Sequence, residues 1–105
     1  MSLPRLISNY LKYFKLDISD VILCECGCGR VGHDFHHLQP RSSFGSKRKV
    51  EQDRVENVAC IAIECHSEAH KSKAFNDHLK LQHRKLLLKF SNNEDDRIIF
   101  PSQGL

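Results

Sequence analysis

The histidines of this sequence include two short groups whose spacing suits metal chemistry. One group is the adjacent pair His36 and His37 in the segment HDFHHLQPRS, and the other is His66 and His70, four residues apart. Histidines at that spacing lie on one face of a helix, where both imidazoles can bind one ion. Neighbours on a regular strand point to opposite faces, so we expect a turn or strand end that lets His36 and His37 reach one site. The pattern indicates a site in which the two neighbours have different chemical tasks.

Five cysteines provide a second set of candidate ligands. Three lie in the segment CECGCGRVG, and Cys60 and Cys65 follow later. An odd number cannot form a complete set of disulfides within one chain, and no basic start with an apolar run marks a signal peptide. We therefore expect a reducing compartment, the cytoplasm, where clustered cysteines and histidines bind metal. The alternative is that these cysteines are buried free thiols that pack as small hydrophobic residues.

The composition predicts one small domain over residues 1–105. Its residues are 40% hydrophobic, enough for a modest core that a metal ion would help to stabilise. The formal net charge of +3 is compatible with DNA or RNA binding, although many unrelated domains share it. No apolar stretch approaches the roughly 18 residues that a transmembrane helix needs. The composition thus excludes a membrane-spanning helix and leaves nucleic acid open as a partner.

Local patterns predict the elements that position these side chains. Apolar residues recur at helical spacing over residues 3–15 and again to about residue 90, where Asn76 is a candidate cap. Apolar or β-permissive runs at residues 33–38 and 58–63 predict two strands, with a long polar loop over residues 40–57 between them. The cysteine- and glycine-rich segment predicts a tight loop, and residues 91–105 a tail or short docked strand. The remaining histidines are expected to be surface or partly buried residues rather than ligands, and they are His33, His78 and His83.

The segments HHLQPRS, ENV and CHSEAH together resemble the HNH nucleases of the ββα-metal (His-Me finger) superfamily. The similarity covers about residues 24–71 and includes the nine-residue step from Asn57 to His66. The acid-x-His-His form of residues 34–37 is also similar to colicin-type nuclease domains. The resemblance implies an α+β fold with a ββα-metal core, a two-stranded hairpin plus a helix, flanked by N- and C-terminal helices.

The resemblance also implies a role for each motif histidine. His36, His66 and His70 would bind one divalent ion, with positions left open for a phosphate oxygen and water. An all-histidine site accepts Mg²⁺, Mn²⁺, Ni²⁺ or Zn²⁺. His37 would be the general base that takes a proton from the attacking water, since imidazole titrates near neutral pH.

Other residues are candidates for supporting roles in the same site. Asn57 would bond backbone groups across the long loop and hold the hairpin, unless it is an ordinary turn asparagine. Asp34 could orient a ligand histidine or a phosphate-binding arginine, or it could be a solvated strand acid. A guanidinium suits bidentate phosphate contact, and a basic triplet can follow a DNA backbone or simply be solvated. The candidate nucleic-acid contacts are Arg41, Lys47, Arg48 and Lys49.

Many HNH proteins carry a structural zinc ion bound by one cysteine pair before the first strand and another before the helix motif. Here Cys60 and Cys65 are separated by four residues instead of the usual two, so the second pair departs from the family pattern. The favoured ligand set is Cys24, Cys28, Cys60 and Cys65, with Cys26 able to replace a neighbour.

These expectations combine into a metal-dependent DNA endonuclease that hydrolyses phosphodiester bonds. The chain is similar to compact stand-alone HNH proteins of bacteriophages and prophages. Its target would be chosen by the long loop, the flanking helices, a homodimer or a larger phage or recombination complex. One alternative is a non-catalytic zinc-binding nucleic-acid-binding module, which needs no base at His37. A degenerate HNH scaffold for protein interaction is the other, although no motif histidine is missing.

Overall fold

The described part of the chain in this computed structural model, residues 3–39, 49–92 and 98–99, is a small α+β protein. Strands β2 and β3 form one antiparallel hairpin, and β1 and β4 form a second antiparallel pair. A 3-10 turn, Val55–Asn57, immediately precedes β3. In chain order the elements are α1 (Arg5–Phe14), β1 (Val21–Ile22), β2 (Asp34–His37), α2 (Lys49–Gln52), β3 (Val58–Ile61), α3 (Ile63–Lys71), α4 (Lys73–Ser91) and β4 (Ile98–Ile99).

The β2–β3 hairpin lies at the centre of the core. All four residues of β3 are buried, which explains why this strand reads as an unbroken apolar run. Ala59 and Ile61 belong to a cluster with α3 and the cysteine loop, whereas Val58 and Cys60 belong to a cluster with α1. Successive side chains of a strand point to opposite faces, so β3 is buried on both sides.

Helix α1 closes the side of the hairpin opposite to α3. Its apolar residues recur at helical spacing, and Tyr10 and Phe14 are both buried. The ring of Phe14 lies 5.0 Å from that of Phe90 in α4, edge to face, and Tyr10 meets Phe35 of the hairpin at 5.3 Å. The helix ends at Phe14, and Lys15, the C-cap residue, adopts the left-handed conformation. The helix expected over residues 3–15 therefore spans Arg5–Phe14.

The break between α3 and α4 is set by Ser72. This residue has an extended backbone, and its hydroxyl accepts a hydrogen bond from the N–H of Phe75 at 3.1 Å, as an N-cap does. The expectation that Asn76 caps this helix is wrong. Its backbone N–H already bonds to the Ser72 carbonyl inside the helix, and its side chain is used elsewhere.

Other connecting segments differ in part from the sequence expectations. The long segment after residue 39 is not loop throughout, because α2 and the 3-10 turn lie within it. The cysteine loop is irregular as expected, and Gly27 and Gly29 have φ angles of 86° and 87°, which glycine adopts readily. Ile98 and Ile99 pair with β1, so this piece of the C-terminal segment is a docked strand.

His83 is only 1% exposed, so it is fully buried instead of lying at the surface or being partly buried as expected. Its imidazole is buried because both ring nitrogens have polar partners within the core. None of the described helices combines the length and apolarity needed to cross a membrane.

Candidate metal centres

Three of the predicted metal ligands lie together, one from β2 and two from α3. The ring centroids of His36 and His66 are 5.1 Å apart, those of His36 and His70 5.4 Å, and those of His66 and His70 4.8 Å. One ligand nitrogen from each residue lies within 4.8 Å of the other two. Since His36 is buried and His70 is exposed, the group faces solvent on one side. These three imidazoles could hold one metal ion.

Two of these imidazoles are oriented by hydrogen-bond acceptors outside the group. Nδ1 of His66 lies 2.9 Å from Oδ2 of Asp34, and Nε2 of His36 lies 2.7 Å from Oδ1 of Asn76. The Asn76 amide is oriented in turn by its Nδ2, which donates to the carbonyl of Leu38 at 2.8 Å. Each neutral ring donates to its acceptor and therefore keeps a lone pair on its other nitrogen for a metal. The contact of Asp34 is the one expected of an acid that orients a ligand histidine.

His36 is held in the protonation state that metals require. Burial lowers the pKa of His36, and the neighbouring imidazoles of His66 and His70 lower it further, against the opposing effect of the Asn76 hydrogen bond. A lowered pKa keeps the ring neutral at pH 7, and the neutral imidazole is the form that binds metals.

His37 has a different partner from its neighbour. Its Nε2 lies 2.8 Å from Oδ1 of Asp53, and the two side chains are only 19% and 15% exposed. His36 and His37 are the last two residues of β2, so of the two expected arrangements the strand end is present and the turn is not; both residues pair with β3, opposite Ala59 and Val58. Their side chains therefore leave opposite faces of the strand. The sequence carried no signal for Asp53, which is one of several acids in a polar segment.

Asn57 connects the end of β2 to the segment that precedes β3. Its Oδ1 accepts from the backbone N–H of Gln39 at 2.8 Å, and its Nδ2 donates to the carbonyls of Gln39 at 3.2 Å and Gln52 at 2.9 Å. Its own carbonyl accepts from the N–H of Leu38 at 2.8 Å. These bonds match the bridging role that the sequence predicts for this amide.

Four cysteines form a second group, three from the loop after β1 and one from α3. The sulfur atoms of Cys24 and Cys26 are 3.3 Å apart, those of Cys26 and Cys65 3.2 Å, and those of Cys28 and Cys65 3.7 Å. None of the five cysteines, which all lie within the described residues, forms a disulfide. Four sulfurs at the usual zinc distance of about 2.3 Å would be roughly 3.8 Å apart in a tetrahedron. The donor set and its spacing therefore suit a zinc ion, which this group could hold.

The thiols of this group differ in acidity. Burial opposes ionisation of Cys28, but hydrogen bonds from the Arg30 backbone and the neighbouring thiols prevail and lower its pKa to about 7. Burial raises the pKa of Cys65 to about 11 and also raises that of Cys26. The thiolate is the form that binds metal, and of these three thiols Cys28 becomes a thiolate at the lowest pH.

Cys60 does not belong to this group, so the predicted ligand set needs a correction: Cys26 takes its place. Cys60 is 1% exposed and packs in the cluster with Tyr10. Its neighbours Ala59 and Ile61 are the residues of β3 that face the cysteine loop. Strand alternation therefore directs the Cys60 thiol away from Cys65, and it packs as a small hydrophobic residue.

The predicted DNA contacts fall mostly outside the described residues. This applies to Arg41, Lys47 and Arg48, while Lys49 begins α2. The cations of α4 line two clefts instead. One cleft, of about 340 Å³, is lined by Lys80 and Arg84 together with Asn57, and the other, of about 290 Å³, lies beside the cysteine loop. The cations of the second cleft are Lys85 and Lys89.

Comparisons with known proteins add no assignment to these two groups. No protein-family model matches the chain, and no curated protein and no solved structure matches it. The chemistry of the two candidate metal centres therefore follows from their donor atoms, distances and burial.

Proposed function

We propose that this chain is a metal-dependent endonuclease of the HNH type that hydrolyses phosphodiester bonds in DNA. The observation that carries the proposal is the meeting of His36 from β2 with His66 and His70 from α3. The sequence resemblance to HNH nucleases supports the same arrangement, a hairpin and a helix that share a metal ion. When bound, the ion would neutralise charge that develops on the phosphoryl group.

His37 is the residue that we assign as the general base. It is the last residue of β2, directly after the ligand His36. Its side chain leaves the opposite face of the strand, so it would meet the attacking water at the strand end, and histidine is the side chain that most often serves as a general base. Its Nε2 is engaged by Asp53, which leaves Nδ1 as the ring atom that takes a proton from the attacking water. Asn57 holds the end of β2 and thereby the backbone on which this base sits.

DNA is the substrate that the charges favour. The net charge is +3, and Lys80 and Arg84 lie in the cleft next to Asn57, at the end of the strand that carries His37. Phosphate contacts make affinity depend on salt, so the proposal can be tested by binding of a short duplex at several salt concentrations. Arg84→Ala should make the slope of log affinity against log salt shallower by up to about 0.9, whereas Lys12→Ala on α1 should not. Equal slopes for both variants would remove Arg84 from the contact surface.

The cysteine group has a structural task in this proposal. A zinc ion bound by Cys24, Cys26, Cys28 and Cys65 would tie the loop after β1 to α3, the helix that carries two of the catalytic-ion ligands. Thiolate binding and folding are coupled, so such an ion stabilises the arrangement of the helix and the hairpin.

The decisive experiment is cleavage of a supercoiled plasmid by the wild-type protein with each of Mg²⁺, Mn²⁺, Ni²⁺ and Zn²⁺. We expect nicked or linear product with at least one of these ions and none after removal of the catalytic ion by chelator. Persistent lack of cleavage with every ion, in protein shown to be folded, would contradict the proposal.

A non-catalytic zinc-binding nucleic-acid module is the second candidate function. The observation that favours it is the four-cysteine group, which is complete by itself and requires nothing of His37. This candidate predicts zinc-dependent DNA binding without cleavage, so the same plasmid experiment, run beside a binding assay, separates the two functions.

A further inference from the structure

The contact between His37 and Asp53 is not part of either metal group. Nε2 of the histidine and Oδ1 of the aspartate are 2.8 Å apart, and both side chains are largely shielded from solvent. The two residues are 16 positions apart, one at the end of β2 and the other just after α2.

The backbone around Asp53 is anchored at several points. Its carbonyl accepts a hydrogen bond from Nδ2 of Asn9 in α1 at 3.0 Å. The preceding residue, Gln52, is buried, and its carbonyl accepts from Nδ2 of Asn57 at 2.9 Å. The N–H of Arg54 donates to the carbonyl of Glu51 at 3.2 Å. The carboxylate is therefore presented to His37 from a held segment, which distinguishes this pair from a chance contact between surface side chains.

The chemical consequence concerns which ring nitrogen carries the proton. A carboxylate only accepts hydrogen bonds, so Nε2 of His37 must be the donor. In the neutral imidazole the lone pair then lies on Nδ1. A carboxylate that holds an imidazole in one tautomer and orientation is the arrangement that makes histidine an effective base in hydrolytic triads.

We propose that Asp53 is a positioning residue that orients His37 and keeps its Nδ1 available to accept the proton of the attacking water. This inference rests on the proposed nuclease function and goes beyond it, since it adds a residue from the segment before β3 to the reaction. Asn9 supports the same geometry from α1 through the backbone of Asp53.

A test that does not depend on cleavage uses histidine side-chain ¹⁵N NMR on the metal-free protein. We expect His37 to show a protonated Nε2 whose proton exchanges slowly in wild type and rapidly in Asp53→Ala. Asp77→Asn serves as the matched control, because it alters an exposed acid of α4 that contacts Lys73, and should leave the His37 signals unchanged. A His37 ring protonated only at Nδ1 in the wild-type protein would overturn the inference.

The activity test compares Asp53→Asn, Asp53→Glu and the control Asp77→Asn in plasmid cleavage with the best metal. General bases contribute about 10²–10⁴-fold, so Asp53→Asn should lower kcat by up to that factor with little change in KM, and Asp53→Glu should recover part of the loss. The double variant His37→Ala/Asp53→Asn should have the same kcat as His37→Ala alone, because Asp53 acts through His37. Nickel affinity should be unchanged, since no ligand is altered.

The outcomes distinguish this inference from the function on which it rests. A wild-type protein that cleaves while folded Asp53→Asn cleaves at the same rate would overturn the role of Asp53 alone. A further loss when Asp53→Asn is added to His37→Ala would do the same. A wild-type protein that does not cleave at all would overturn the nuclease proposal and the positioning role with it.

Discussion

Nδ1 of His83 lies 2.6 Å from Oε1 of Glu25, although 58 positions separate these two residues in the chain. Nε2 of His83 lies 2.6 Å from the carbonyl of Val55. The other carboxylate oxygen of Glu25 accepts from the N–H of Cys60 at 2.9 Å and from the hydroxyl of Tyr10. This buried pair joins α4 to the loop of the cysteine group, because Glu25 lies between Cys24 and Cys26 in the chain.

The first prediction concerns the stability that depends on this pair. His83→Ala should lower the free energy of unfolding by about 3–5 kcal/mol, because the Glu25 carboxylate would stay buried after losing one of its partners. His78→Ala, an exposed histidine on the same helix, should change it by less than about 0.5 kcal/mol. Urea unfolding followed by circular dichroism measures both. Equal stability of the two variants would show that the pair contributes little.

His37→Ala should abolish most cleavage while leaving the fold and metal binding intact. The expected loss of plasmid cleavage rate is about 10²–10⁴-fold, the usual contribution of a general base. Nickel titration and a thermal melt of the same variant provide the control, because the residue is not in the three-histidine group. Cleavage close to the wild-type rate would remove His37 from the mechanism.

Removing a ligand of the three-histidine group should weaken metal binding more than removing a residue that only orients a ligand. His70→Ala removes a ligand and should weaken nickel or manganese binding strongly, while folding changes little because His70 is exposed. Asp34→Ala leaves all three ligands but removes the acceptor that orients His66, so a weaker loss of about 10–100-fold is expected. Isothermal titration calorimetry measures both affinities. Unchanged affinity in His70→Ala would contradict its assignment as a ligand.

Zinc content should distinguish Cys65 from Cys60. Cys65→Ser should lower both zinc content and thermal stability, because thiolate binding is coupled to folding. Cys60→Ala should keep about one zinc ion per chain, since its thiol packs on the other side of β3. Elemental analysis of protein purified without chelator, after dialysis that strips the catalytic ion, measures the content. Zinc lost from both variants would restore the ligand set expected from sequence, which includes Cys60 as well as Cys65.

Alkylation of Cys28 should reveal the acidity of the zinc-free cysteine group. Its pKa is lowered to about 7 from the ordinary value of 9.0, so the thiolate population falls only when pH drops below about 7. The rate of reaction with iodoacetamide should therefore rise with pH around a midpoint near 7, and added zinc should suppress it. Peptide mass spectrometry locates the modified residue. A midpoint near 9, or no protection by zinc, would contradict the assigned environment.

Several features of the site could be predicted from local sequence because they depend on nearby residues. The four-residue step from His66 to His70 places both on one face of any helix, wherever that helix packs. The apolar spacing before Lys15 determines an amphipathic helix, and the runs around His36 and Val58 indicate strands. The bridging role of Asn57 was also expected, although only as part of a resemblance.

Tertiary structure alone decided which side chains complete each group. Cys26 belongs to the cysteine group and Cys60 does not, because Cys60 lies on the face of β3 that points away from the cysteine loop. The pairing register of β2 with β3 determines which residues of β3 lie on each face. Asp53 contacts His37 although 16 positions separate them in the chain, and Asn76 contacts His36 across 40 positions. Local sequence cannot indicate such contacts, because they arise only when α2 and α4 pack beside the hairpin. For the same reason, the local sequence of α4 does not indicate that His83 is buried against Glu25, because His83 stands among several basic residues there.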